Sequence, residues 1–170
     1  MASVRPDAGG VSAPMWRIGP VTVADRNAWL EMRCALWPDD PDSHGVEIDR
    51  FFAGDRREPA EVLIACDGDV PIGFVELSIR NIVDGCRTGN VGYLEGWYVV
   101  PAARRRGAGR ALVSAAEQWA SERGCTEFGS DAALDNHVSL VAHRALGFEE
   151  TSRAQNFRKV LRVHSGAVSR

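Results

Sequence analysis

The sequence predicts a mixed α/β (α+β) domain whose central sheet is mixed and mostly antiparallel, flanked by about four helices. Three observations predict it. Between Glu61 and Val100, three apolar, β-branched runs are separated only by turn residues and a short polar loop, the signature of an antiparallel meander. From Gly107 onward, helical and extended patterns alternate, which favours parallel pairing in the second half. The chain has 170 residues, 45% hydrophobic and 25% charged, enough for one real core.

The elements follow in order. "WRIGPVT" (16–22) is extended, and Thr22 opens a helix with Asp25 at the capping-box offset. That helix stops at Trp37-Pro38, because the residue before a proline is pushed out of the helical region. "PDDPDS" is predicted as a loop, with a second helix from Val46 to Phe52 ending near Gly54. "EVLIACDGDVPIGFVELSIRN" gives two strands around Asp67-Gly68-Asp69, a hairpin signal. "VGYLEGWYVV" is the next strand, in which Gly96 marks a bulge or a close approach. Leu112, Val113, Ala116 and Trp119 recur at helical spacing, so a long helix runs from about Gly107 to Glu122. "TEFGSDA" is extended, a helix spans Asn136 to Leu146 before Gly147, and "NFRKVLRV" is predicted as a last strand. Residues 1–15 are a loose leader and 163–170 a disordered tail, so the expected domain is 16–162.

Composition excludes several classes. A net charge of −3 gives no general attraction to nucleic acid or anionic membranes. Cys34, Cys66, Cys86 and Cys125 are dispersed, so reduced thiols and no metal site are expected. No apolar run reaches the roughly 18–20 residues of a membrane span, and the first residues lack the apolar stretch of a signal peptide. A cytoplasmic location is the expectation.

The chemistry concentrates in "YVVPAARRRGAGRALV" (98–113). Arginines and glycines sit at a strand-to-helix turn, where unpaired backbone N–H groups and the helix dipole attract anions. Gly107 and Gly109 let the backbone close on a bulky anion. The pattern calls for phosphate, and Gly-x-Gly-x-x-Gly, which a dinucleotide fold needs, is missing.

Arg104-x-x-Gly107-x-Gly109, followed by Asn136 and then Gly147-Phe148, resembles the GNAT superfamily of acetyl-CoA-dependent N-acetyltransferases over about Trp16 to Val160. The resemblance implies the GNAT fold, with splayed central strands and the pantetheine arm lying in the gap. It implies that Arg104, Arg105, Arg106, Gly107, Ala108, Gly109 and Arg110 cradle the coenzyme's phosphates. It also implies that the backbone of Trp97, Tyr98 and Val99 meets the pantetheine amides and the acetyl carbonyl, where an N–H would stabilise an oxyanion. Asn136 would contact pantetheine, although an N-cap explains it equally. Many members place a tyrosine seven residues further on as general acid; here that position is His143. Three roles are open to it: protonating the sulfur, hydrogen-bonding it, or packing.

The carboxylates point to the acceptor. Glu76, Glu95 and Asp131 fall in or at the ends of strands, where a lone carboxylate is expensive to bury. Together they suggest a negative cleft for a cationic amine, the alternative being an edge residue facing water; the loop around Trp37 reads either as a solvated charge run or as an acidic, aromatic wall. "LWPDDPD", "IGFVELSIR", "YLEGWYVVP" and "HRALGFEET" look like the aminoglycoside 6′-N-acetyltransferases within the superfamily. That likeness implies an aminoglycoside site at Trp37, Glu95 and Asp131, with Glu76 nearby and Ser152 where some relatives are acidic. It also implies a homodimer. Glu95 or Asp131 would take the amine's proton. Rival acceptors are a polyamine or a protein N-terminus, and a rival class is a non-catalytic acetyl-CoA sensor. RNA binding through Arg104 to Arg106 lacks the interleaved aromatics it needs.

Overall fold

The computed structural model describes residues 16–39, 41–155 and 157–160. The expected leader (1–15) and tail (163–170) lie outside them. Among the described residues one five-stranded sheet runs in the order β1-β2-β3-β4-β5. The strands are β1 (Arg17–Pro20), β2 (Glu61–Asp67), β3 (Val70–Arg80), β4 (Val91–Val99) and β5 (Glu127–Ser130). Neighbours from β1 to β4 are antiparallel, and β5 alone lies parallel to β4. The helices are α1 (Arg26–Leu36), α2 (Pro41–Phe52), α3 (Ala108–Glu122) and α4 (His137–Ala145). No helix among the described residues is long and apolar enough to cross a membrane.

Both faces of the sheet are covered, which is why β2 and β3 read as unbroken apolar runs. Leu63, Val75 and Leu77 face α3, meeting Leu112, Val113 and Ala116. Their alternates Val62, Ile64 and Phe74 face α1 and α2, meeting Trp29, Ile48 and Phe51. The sheet is thereby fixed as a rigid platform whose β4–β5 end carries the chemistry.

Two expectations are corrected. The "PDDPDS" segment is a loop only in part: α2 begins at Pro41, well before Val46. Proline is suited to a first helical turn, where its missing N–H has no partner to lose, and Asp42 beside it complements the dipole. The predicted last strand is not a strand over residues 157–160, where Phe157 and Val160 are exposed. Asn156 and residues 161–163 lie outside the described chain. Thr22 does open a helical segment: its backbone N–H donates to Asp25 Oδ2 at 2.9 Å, over a 3₁₀ turn that leads into α1.

Candidate active site

Pairing between β4 and β5 runs from Val91↔Glu127 to Leu94↔Ser130 and stops there. Residues 95–99 of β4 keep β3 on one edge and, among the described residues, have no strand on the other. The splay expected of the central strands is therefore present, and its apex is the Leu94–Ser130 pair. Register between β3 and β4 shifts at the same level: Glu76 pairs with Gly96 and Leu77 with Leu94, leaving Glu95 as the extra, bulged residue. Gly96 is a close approach, since a Cβ there would lie 2.4 Å from Cη2 of Trp37.

The turn after β4 presents backbone. Arg105 has φ 60 and Gly107 φ 92, so left-handed residues flank Arg106 and curl the N–H groups toward one side. Gly107 is also the N-cap of α3, whose first N–H groups have no helical acceptor. Gly109 has a different reason to be glycine: a Cβ there would meet Trp97 Cζ2 at 2.9 Å. The space at Gly109 is filled by an indole, not held open for an anion. The arginines are unequally engaged. Arg104 Nε donates to the Val99 carbonyl at 2.8 Å, and Arg106 lies 3.7 Å from Asp67 Oδ2 with its guanidinium over Trp16. Arg110 Nη2 donates to the Ala145 carbonyl at 3.0 Å, tying α3 to the end of α4. Arg105 makes no hydrogen bond or ion pair among the described residues.

His143 stands at the splay. Its ring is 5.6 Å from Trp97 and 5.0 Å from Phe148, edge-on to both. Nδ1 lies 2.8 Å from the Ser139 carbonyl, which can only accept, so Nδ1 carries a hydrogen. Nε2 lies 3.0 Å from Ser130 Oγ, a hydroxyl that also lies 3.1 Å from the Leu94 carbonyl and has one hydrogen to share between them. Both ring nitrogens are thus engaged by the protein. Asn136 is an N-cap whose Oδ1 accepts from Ser139 N–H at 3.0 Å. The indole N–H of Trp97 is buried without a hydrogen-bond partner.

On the other side of β4 lies a cavity of about 390 Å³ bordered by Trp37, Glu47, Glu58, Glu76 and Glu95. Trp37 is locked there by the Gly96 contact and by its carbonyl, 2.8 Å from His44 Nε2. Glu76 is nearly sealed, at 2% exposure. It accepts from Trp29 Nε1 at 2.8 Å and faces Arg33 Nε at 3.0 Å, while Arg33 Nη2 reaches Glu47 at 2.7 Å. Burial pushes the Glu76 carboxyl up to about 7 against the opposing pull of Arg33 and Trp29. Glu76 is accordingly an internal anchor at the cavity floor.

Glu95 and Asp131 border different cavities. Asp131 and Ser152 share one of about 970 Å³ that also meets His143. A continuous chain of contacts joins the two acids. Arg80 grips Glu95 with Nε at 3.0 Å and Nη2 at 2.5 Å, and Ser78 donates to the same carboxylate. The Arg80 guanidinium lies 3.7 Å from the centroid of Tyr93, whose hydroxyl donates to Asp131 Oδ1 at 2.6 Å. Burial and that hydrogen bond hold the Tyr93 phenol well above its usual range. Sequence reading missed Arg80, Tyr93, Arg33 and Ser130. Arg80 and Tyr93 lie on strands already recognised, but only the bulge at Glu95 sets which side chains meet. Among the described residues, no cluster of three or more His, Cys, Asp or Glu could hold a metal ion.

Comparison with known proteins agrees with this geometry. The family model "Acetyltransferase (GNAT) family" matches residues 26–148. An aminoglycoside N(6′)-acetyltransferase type 1 from Klebsiella aerogenes is 53% identical over 153 residues, covering 88% of this chain and 99% of that protein. The Acinetobacter baumannii enzyme of the same name is 42% identical, over 84% of this chain and 97% of its own. Among solved structures, AAC(6′)-Iy in complex with the bisubstrate analog CoA-S-monomethyl-acetylneamine superimposes with a TM-score of 0.78. It is 35% identical, over 86% of this chain and 99% of that one. The 6′-N-acetyltransferase AAC(6′)-IG from Acinetobacter haemolyticus gives the same TM-score at 42% identity, with 86% and 99% covered. With a family model over residues 26–148 and relatives matched along nearly their whole length, this chain belongs to the GNAT acetyltransferases, among the aminoglycoside N(6′)-acetyltransferases.

Proposed function

We propose that this protein transfers the acetyl group of acetyl-CoA to the 6′-amine of aminoglycosides. The observation that carries the reading is the two-sided character of β4. Its 95–99 half offers an unpaired backbone edge beside the α3 cradle, while Glu95 at the bulge borders an acidic cavity walled by Trp37. The unpaired edge and the left-handed turn fit a pantetheine arm and its pyrophosphate, and acetyl-CoA supplies a thioester as the acyl donor. Backbone N–H groups around Gly107 and α3 hold phosphate, Arg105 is the arginine free to add charge, and the 95–99 edge hydrogen-bonds the amides. Glu95 and Asp131 attract the cationic acceptor, and one of them takes its proton. His143 steadies the splay, with Ser130 between it and β4.

The substrate class is supported by the names of relatives at up to 53% identity, and by the acetylneamine portion of the analog bound to AAC(6′)-Iy. The test is acetyl-CoA turnover across neamine-type aminoglycosides, polyamines and peptide amines, with ¹³C-acetyl NMR locating the modified nitrogen. Acetylation at 6′ is expected; turnover of polyamines or peptides alone overturns the substrate. We also assign a homodimer, supported by the exposed apolar residues Val138 and Val141 on α4. Sedimentation giving a monomer at micromolar concentration would remove the dimer.

A further inference from the structure

Arg80 and Glu95 form an ion pair that spans two cavities: Glu95 borders the one with Trp37, and Arg80 borders the one with Asp131. The guanidinium is held as a cationic ligand would be held. A carboxylate grips it through two nitrogens, at 3.0 and 2.5 Å, and an aromatic face lies 3.7 Å from its carbon. The ring that carries it is itself anchored to Asp131. The two partners differ in exposure. The Arg80 side chain is 37% exposed and can swing into water at little desolvation cost, whereas the Glu95 side chain is 17% exposed. A carboxylate left that far from solvent needs a replacement cation.

We infer that Arg80 is an internal stand-in for the acceptor's ammonium group. In the empty protein it occupies Glu95 and closes the passage between the cavities. The acceptor displaces it and joins them into one acidic cleft that holds Glu95, Trp37 and Asp131. This makes Arg80 an affinity threshold that every acceptor must overcome. A monoamine offers one ammonium against a two-point guanidinium contact and a ring, and it fails to displace Arg80. A molecule with several ammonium groups also engages Asp131, and it succeeds. Displacing Arg80 lowers every acceptor's affinity by one common factor, so only a polycation that adds the Asp131 contact keeps useful occupancy. The inference rests on the aminoglycoside reading above.

Calorimetry on the coenzyme-free protein tests it, with neamine as the polycation and butylamine as the monocation. Arg80→Met keeps an apolar stem on Tyr93 and removes the competing charge. Neamine should bind this variant about tenfold tighter than wild type, the gain expected when a closed state populated about nine-tenths of the time is abolished. Butylamine should gain by the same factor, because the closed state excludes both amines alike, while acetyl-CoA affinity stays unchanged. Arg80→Lys, with one charge and no fork, should lie between, and it serves if the Met variant does not fold. In wild type, the Arg80 Nε–H signal should lose its hydrogen-bonded shift as neamine is added. Equal or weaker neamine binding in a folded Arg80→Met overturns the stand-in alone. Failure of wild type and variant to bind neamine, with acetyl-CoA still bound, overturns the stand-in and the aminoglycoside reading together.

Discussion

The two sides of β4 are built from different materials. On the coenzyme side, the contacts come from backbone along one contiguous stretch, from the open edge at 95–99 through the left-handed turn to the start of α3. On the acceptor side they come from side chains carried by α1, β3, β4 and the segment after β5, which meet only in the folded sheet. A backbone site needs no charge of its own to be stable while empty. The acceptor side differs: Arg33 faces Glu76 and Glu47, and Arg80 faces Glu95, so three of the four glutamates bordering the cavity already have a cation. In the proposed reading, phosphate meets backbone donors with no competing anion to displace, whereas an amine exchanges one cation for another.

The sharpest way to break this comparison is at Gly107. A β-branched residue in the left-handed region costs on the order of 1–3 kcal/mol and can be relieved only by turning the loop. Gly107→Val should lower acetyl-CoA affinity by roughly 100-fold, because the backbone donors lose their common direction. Gly109→Ala should act through Trp97, whose ring must shift. Calorimetry with circular dichroism as the folding control checks both. Wild-type affinity in a folded Gly107→Val would remove the cradle.

The acceptor side is tested next by Glu95→Gln, which keeps shape and removes charge. Turnover per acceptor, as kcat/KM, should fall by about 100-fold, within the range of a lost general base, with acetyl-CoA KM little changed. A fall in kcat and kcat/KM together assigns the proton transfer to Glu95, while a rise in KM alone leaves it a cation anchor and points to Asp131.

The same difference in materials explains what the sequence disclosed. Strand β4, the turn and α3 are adjacent in the chain, so glycine spacing, Pro101 and the apolar repeat of α3 made the strand-to-helix turn legible. The meander was legible too, since both sheet faces are buried and the hairpin at Gly68-Asp69 is marked by glycine. Cross-strand contacts were not. Whether Glu95 meets Arg80 or faces water depends on a one-residue bulge, and a shift of one residue reverses every side chain. Trp37 and Glu95 do border one cavity, but the seat of Trp37 against Gly96 was visible only once the strands were paired. The predicted last strand was extended by composition alone, and no sheet edge receives residues 157–160.

A smaller effect is expected at His143. To reach a sulfur it must release Ser130 or Ser139, because both ring nitrogens are occupied. His143→Ala should therefore lower kcat by only about tenfold, below the usual 10²–10⁴ of general acid–base catalysis. Ser130→Ala should reproduce part of that loss, and the double variant should add little if the two act as one unit. A loss above the quoted range, with acetyl-CoA affinity intact, would make His143 the principal acid.

The smallest effect on turnover belongs to Glu76→Gln, and its signature lies in stability. The Glu76 carboxyl is raised in the fold from 4.5 to about 7, mainly by burial. The folded protein therefore holds this proton more tightly than the unfolded chain does. The stabilisation is complete below about 4.5 and is lost as pH rises through about 7, because the slope of unfolding free energy is negative where the native state binds more protons. Glutamine mimics the protonated form: it still accepts from Trp29, and it cannot ionise. Urea titrations from pH 5 to 8 should show wild-type stability declining across that window, with the variant flatter and turnover within about twofold of wild type, since Glu76 is nearly sealed and already engaged by Trp29 and Arg33. Parallel pH profiles for the two proteins would mean that Arg33 holds Glu76 ionised throughout. The cavity floor would then be a full ion pair, and the acceptor side would carry one more fixed charge than the burial of Glu76 indicates.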